Sequence, residues 1–100
     1  MNESVDSRQR RPWSFVTTHA LVLIAIANDP AVRIREIADF AGVSERQASR
    51  VVSQLEAAGY VVRERTGRRN RYRLNLAHAL PRHESRSLGE LLEALAPLRR

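Results

Sequence analysis

Gly42, Val43 and Ser44 constrain what this chain can fold into more tightly than any other three residues in it. Before them, IREIADFA sets Ile37, Ala38, Phe40 and Ala41 at the spacing of one apolar helical face, predicting a two-turn helix over residues 35–41. After them, ERQASRVVSQLEAA sets Ala48, Val52 and Leu55, with Val51 alongside, on one stripe of a second helix that runs to Ala58 and is closed by Gly59. Gly42 can adopt the positive φ that ends a helix cheaply, Val43 is a plug for the core, and Ser44 is placed to cap the second helix. Ser44-x-x-Gln47 fits the reciprocal capping box, which satisfies two otherwise orphan backbone donors. Two short helices joined by so tight a glycine-bearing turn form a helix-turn-helix.

The flanks supply what such a pair needs to bury itself. Residues 13–28 read as a first helix region, capped by Thr17 or Thr18, and its stretch from His19 to Ala27 is apolar almost all round. Asp29-Pro30 stops it, because proline disfavours a helical conformation in the residue before it. Val32-Arg33-Ile34 is a short extended piece. Residues 60–66 and 71–76 are rich in strand formers and GRRN lies between them, predicting a β-hairpin. Tyr72 and Leu74 alternate with Arg71, Arg73 and Asn75, so one face packs and the other presents guanidinium groups. Residues 77–86 read as a loop broken by Pro81. Ser87-x-x-Glu90 is a second capping box, opening a helix whose Leu88, Leu91, Leu92 and Leu95 form a stripe. The division is a flexible arm at 1–12, a core domain at 13–76, and a loop plus C-terminal helix at 77–100 that is a possible dimerisation element.

Charge points to the partner. Arg63, Arg65, Arg68, Arg69, Arg71 and Arg73 stand against Glu64 alone, a net +5 in a chain whose total is +6. A compact cationic block at a turn attracts phosphates, since each neutralised phosphate releases condensed counterions. All 17 basic residues are arginine, a usage that follows genome composition as readily as guanidinium chemistry, so the clustering carries the inference. With no cysteine there is no disulfide, thiolate zinc site or thiol nucleophile. Residues 1–14 have no apolar core of signal-peptide type, and the apolar run at 20–27 is too short to cross a bilayer, so the reading is a cytoplasmic protein without a membrane partner. His19, His78 and His83 read as ordinary histidines, with no metal, cofactor or catalytic constellation, and an enzyme is not expected.

The residues IREIADFAGVSERQASRVVSQLEAAGYVVRERTGRRNRYRL, with the first helix, span about two-thirds of the chain and resemble the winged helix-turn-helix domains of bacterial transcriptional regulators of the MarR and ArsR kind. In those domains an aliphatic–alanine–aliphatic helix leads into GVS, a recognition helix, LE..GY and a wing, and each piece occurs here in order. The chain departs from them in carrying one short candidate dimer helix and no cysteine ligands. The resemblance implies a mainly α, α+β fold: a three-helix core, a two- to three-stranded β-wing and a C-terminal helix.

It also implies double-stranded DNA as partner and a homodimer. Arg46, Ser49, Arg50 and Ser53 fall at i, i+3, i+4 and i+7, opposite the apolar stripe, where a recognition helix faces base edges. Arg46 or Arg50 suits guanine, Gln47 adenine and Glu45 the cytosine amine, with Ser44 at the helix start. A solvated face, with Gln47 engaged in capping, is the alternative. In the wing, Arg68 and Arg69 at the tip suit a minor groove, while Arg63, Arg65, Arg71 and Arg73, with Asn70, suit phosphates. The alternative there is a charged edge that resists aggregation. The leucine stripe either completes a monomer's core or pairs with its copy and the Trp13–Phe15 region. A protein-interaction module, a nonspecific nucleic-acid-binding subunit and an RNA-binding role compete with the regulator, and an effector is left open.

Overall fold

The computed structural model describes residues 13–98; the expected N-terminal arm, with Arg8, Arg10 and Arg11, lies outside them. Helix α1 is Thr18–Asn28, with Thr17 as N-cap, its side chain accepting from the Ala20 N–H. Five consecutive residues, Val22 to Ile26, are buried, as the all-round apolar stretch requires. Helix α2 is Ile34–Ala41 and α3 is Glu45–Ala57. Between them Gly42 takes φ 74 and its N–H reaches the Ala38 carbonyl at 2.8 Å, closing α2 with the predicted left-handed residue.

Ser44 caps α3 by accepting from the Gln47 N–H at 3.0 Å. The return bond of the expected box does not form, which leaves the Gln47 side chain exposed rather than folded back on the cap. The extended piece expected at 32–34 is not a strand. Arg33 is extended, at φ −87 and ψ 155, but Ile34 already begins α2, whose start is held by the Glu36 carboxylate accepting from the Arg33 N–H at 3.1 Å.

Strands β1 (Val61–Thr66) and β2 (Arg69–Leu74) form an antiparallel hairpin, pairing Val61 with Leu74 through to Thr66 with Arg69. The loop is therefore only Gly67-Arg68, with Gly67 at φ 62, so the second strand begins two residues earlier than the sequence suggested. Glycine at the first position with positive φ is the pattern of a primed two-residue turn, whose twist matches that of the strands.

Residues 77–86 are not a plain loop. Strands β3 (Ala79–Leu80) and β4 (His83–Ser87) pair antiparallel around Pro81-Arg82, where Arg82 has φ 69. Helix α4 (Leu88–Leu95) comes next, and a 3₁₀ turn covers Ala96–Leu98. Its capping box is complete: Glu90 N–H donates to Ser87 Oγ at 3.2 Å, and Ser87 N–H donates to Glu90 Oε1 at 2.8 Å. The Ser87 N–H, then the Arg86 guanidinium, hold the Glu90 carboxyl below its ordinary value.

One core joins the elements. Val22 and Ile26 of α1, Ile37 of α2, Ala48 and Val52 of α3, Val61 of β1 and Leu88 of α4 are each 2% exposed or less. Leu92 packs against the same cluster, so half of the leucine stripe completes the chain's own core and Leu91 and Leu95 stay half-buried. The hinge glycine gives the fold its sharpest test. Gly42→Ala forces a Cβ into the left-handed region and should lower unfolding free energy by about 1–2 kcal/mol, read as a drop in urea midpoint with unchanged slope; an unshifted midpoint would show that the turn relaxes without strain.

Candidate nucleic-acid interface

Packing α3 by one stripe frees the other. Ala48, Val51, Val52 and Leu55 are buried, while Ser44, Glu45, Arg46, Gln47, Ser49, Arg50 and Ser53 are all exposed. Among the described residues neither Arg46 nor Arg50 has a carboxylate partner. The wing lies beside this face. A groove of about 380 Å³ is lined by Glu45, Arg46 and Ser49 of α3 and by Arg63, Asn70 and Tyr72 of the wing. Three of the seven expected α3 residues, Glu45, Arg46 and Ser49, therefore meet two of the seven expected in the wing, Arg63 and Asn70.

The hairpin register sorts the six wing arginines. Opposite residues of an antiparallel pair share a face and alternate along the strand. Arg63 pairs with buried Tyr72 and Arg65 with Asn70, so both sit on the body-facing side, whereas Arg69, Arg71 and Arg73 share the outer face. Arg68 alone occupies the turn. The outward alternation of Arg71 and Arg73 agrees with the sequence; the inward placement of Arg63 and Arg65 comes from the register, which the sequence did not reveal.

Their partners differ as well. Arg63 Nη2 donates to Glu56 Oε1 at 3.1 Å, and Arg73 Nη2 to Glu64 Oε2 at 3.2 Å. Arg65 Nε donates to the Gly67 carbonyl at 3.3 Å. Arg69 was expected at the tip beside Arg68, but it stands in β2 and its Nη2 donates to the Ala31 carbonyl at 2.8 Å. Together with the Tyr72 N–H to Pro30 carbonyl bond, also 2.8 Å, this ties β2 to the α1–α2 connection. Arg68 and Arg71 have no ion-pair partner among the described residues.

Sequence reading missed Arg33. It is exposed and lines a second groove, of about 460 Å³, with Arg68, Arg69 and Asn70. Thirty-five residues separate Arg33 from Arg68, so no local charge pattern signals their approach. Two of the three histidines make contacts within the fold. His78 stacks on Tyr60, with ring centroids 4.4 Å apart, and its Nε2 donates to the Ala58 carbonyl at the end of α3. His19 Nε2 lies 2.8 Å from Gln54 Oε1. Among the described residues there is no group of three or more side chains able to hold a metal, and no helix is long and apolar enough to cross a membrane.

A three-helix core with its third helix exposed along one polar face, leading directly into a β-hairpin, is a winged helix-turn-helix domain. The MarR family pattern matches residues 16–71, more than half of the chain, and the protein belongs to the MarR family, a family of winged-helix transcriptional regulators that bind DNA. A search of curated proteins finds no match. The matched stretch ends inside β2, so β3, β4 and α4 lie beyond it.

The unequal roles of Arg68 and Arg69 are open to a direct check. Arg69→Ala should speed amide exchange at Tyr72 several-fold by releasing β2 from the α1–α2 connection, while Arg68→Ala should leave it unchanged. Equal exchange in both variants would mean the Arg69–Ala31 bond does not hold the wing.

Proposed function

We propose that the protein is a sequence-specific regulator of transcription that acts on double-stranded DNA in the cytoplasm, with α3 in the major groove and the wing on phosphates and the adjacent minor groove. The observation that carries this reading is the single surface on which the free face of α3 meets the arginine-bearing wing. A major groove admits one α-helix, and a helix held by its apolar stripe presents its opposite side to base edges. On this reading Arg46 and Arg50 pair with guanine, Gln47 with adenine and Glu45 with the cytosine amine, while Ser44, Ser49 and Ser53 contact neighbouring bases or phosphates. Arg68 enters the minor groove, where a narrow A-tract strengthens the attraction. Arg65, Arg71 and Arg73, with Asn70, lie along phosphates, and Arg63 and Arg69 stand in the same interface while engaged by Glu56 and Ala31.

Residues 13–76 form the DNA-reading unit, and the C-terminal segment contributes to a homodimer. Leu91, Leu95 and Leu98 are left partly or largely exposed. Trp13 and Phe15, stacked edge-to-face with centroids 4.8 Å apart, are 78% and 93% exposed. They border an apolar groove of about 940 Å³ whose walls include Leu21, Phe40, Val43 and Leu98. Projecting rings beside a recess on one surface are what an isologous two-fold contact requires.

Selection from a random duplex pool near physiological salt should enrich an inverted repeat with half-sites about one helical turn apart. Arg46→Ala and Arg50→Ala should then relax preference at individual positions, and Arg68→Ala should weaken binding to all sequences and reduce the salt slope by about one. Binding without any enriched motif would replace the regulator by a nonspecific or partner-dependent nucleic-acid-binding role. For the dimer, sedimentation equilibrium should give twice the chain mass at micromolar concentration, and Trp13→Ser with Phe15→Ser should return the monomer. A monomeric parent protein would remove the seam.

A further inference from the structure

We infer that Glu56, an acidic residue beside the DNA-reading surface, is a positioning residue that sets the angle between α3 and the wing through Arg63. Glu56 is the penultimate residue of α3, and the chain then turns through Ala58 and Gly59, at φ 90, into β1. The ion pair of Arg63 Nη2 with Glu56 Oε1 bridges this turn across seven residues of sequence. It is better sheltered than the other wing pair: the Arg63 side chain is 30% exposed and that of Arg73 62%. The Arg63 guanidinium carbon also lies 6.0 Å from the centre of the Tyr72 ring, within the range of a cation–π attraction. Its Nε is buried with no hydrogen-bond partner among the described residues, so the side chain is held inward. A phosphate-seeking arginine has no need of such a posture.

Geometry makes the hinge consequential. From Arg63 to Thr66, the end of β1, is three residues, about 10 Å at the rise of a strand, so a tilt of about 10° at the base displaces even the start of the turn by about 2 Å. That exceeds the tolerance of a hydrogen bond to a phosphate or base edge. The opposite strand is fixed separately by the bonds of Tyr72 to Pro30 and Arg69 to Ala31. The wing is therefore held at both strands, and Glu56 governs the strand that leaves the recognition helix.

The sign of one substitution separates this role from plain electrostatics. Removing a negative charge near DNA strengthens binding if charge alone matters. Removing a positioning acid weakens it, and only while there is a tip contact to misplace. Affinity for a mixed-sequence duplex is to be measured for the parent protein, Glu56→Ala, Arg68→Ala and the double variant, with thermal unfolding confirming that each is folded. The inference rests on the DNA-binding reading above. Glu56→Ala should weaken binding about three- to fivefold, the upper range of one partly sheltered ion pair. In the Arg68→Ala background it should have less than about a twofold effect, the mark of two sites acting as one unit. Unchanged or tighter binding by Glu56→Ala, or an equal loss in both backgrounds, would overturn the inference. Should Glu56→Ala not fold, Glu56→Gln removes the charge at constant shape, with a smaller loss expected and the same outcomes overturning it. A parent protein that binds no DNA would sink the regulator reading instead. The positioning role would then be judged on residual dipolar couplings of the Gly67 and Arg68 amides, which Glu56→Ala should change and which, if unchanged, overturn it.

Discussion

The fit of α3 into the core through Ala48 and Val52, both without solvent exposure, is the contact on which the rest of the structure depends. A small side chain at 48 lets the helix axis approach its neighbours closely, and Val51, Val52 and Leu55 fill the space around it. Burying those three larger side chains is worth about 6 kcal/mol before entropy is counted. A partly exposed ion pair contributes about 1 kcal/mol or less. Packing therefore decides where α3 lies and which of its faces is outward, and the polar contacts of the wing only trim the angle of what is attached to it.

This ordering explains which parts of the molecule could be read from sequence. Periodicity reports burial, and α3, α2 and the Gly42 turn are all specified by burial or by a backbone conformation that few residues adopt, so they stand where the sequence placed them. The second hairpin escaped notice because nothing in it alternates: His83 to Arg86 are all exposed, and β3 is two residues long beside a proline. Main-chain pairing holds it, and main-chain pairing leaves little trace in side-chain types. Half of the cap at Ser44 was legible; whether Gln47 would fold back depends on competition with solvent that no spacing rule resolves.

The arginine block shows a different limit. Counting gives its charge correctly but not its direction, because direction is set by a two-residue turn that moves Arg69 and Asn70 from loop into strand. Once the register is known, the six residues divide by partner. Arg63 and Arg69 are bonded to residues outside the wing, Arg73 to Glu64 within it, Arg65 to its own turn, and Arg68 and Arg71 project with no such bond among the described residues. Much of the apparent electrostatic reach of the block is thus internal scaffolding, and a surface carrying +5 by sequence presents its cations at selected points along a ridge.

At the end of that ridge, a Cβ built on Gly67 would meet nothing within 4 Å. The strands behind it are anchored, yet the space over Gly67 is open. Lengthening a loop costs only the slowly growing entropy of closing it. Extra residues between Thr66 and Arg69 would extend the finger without disturbing the palm, so reach toward a partner can evolve here independently of stability.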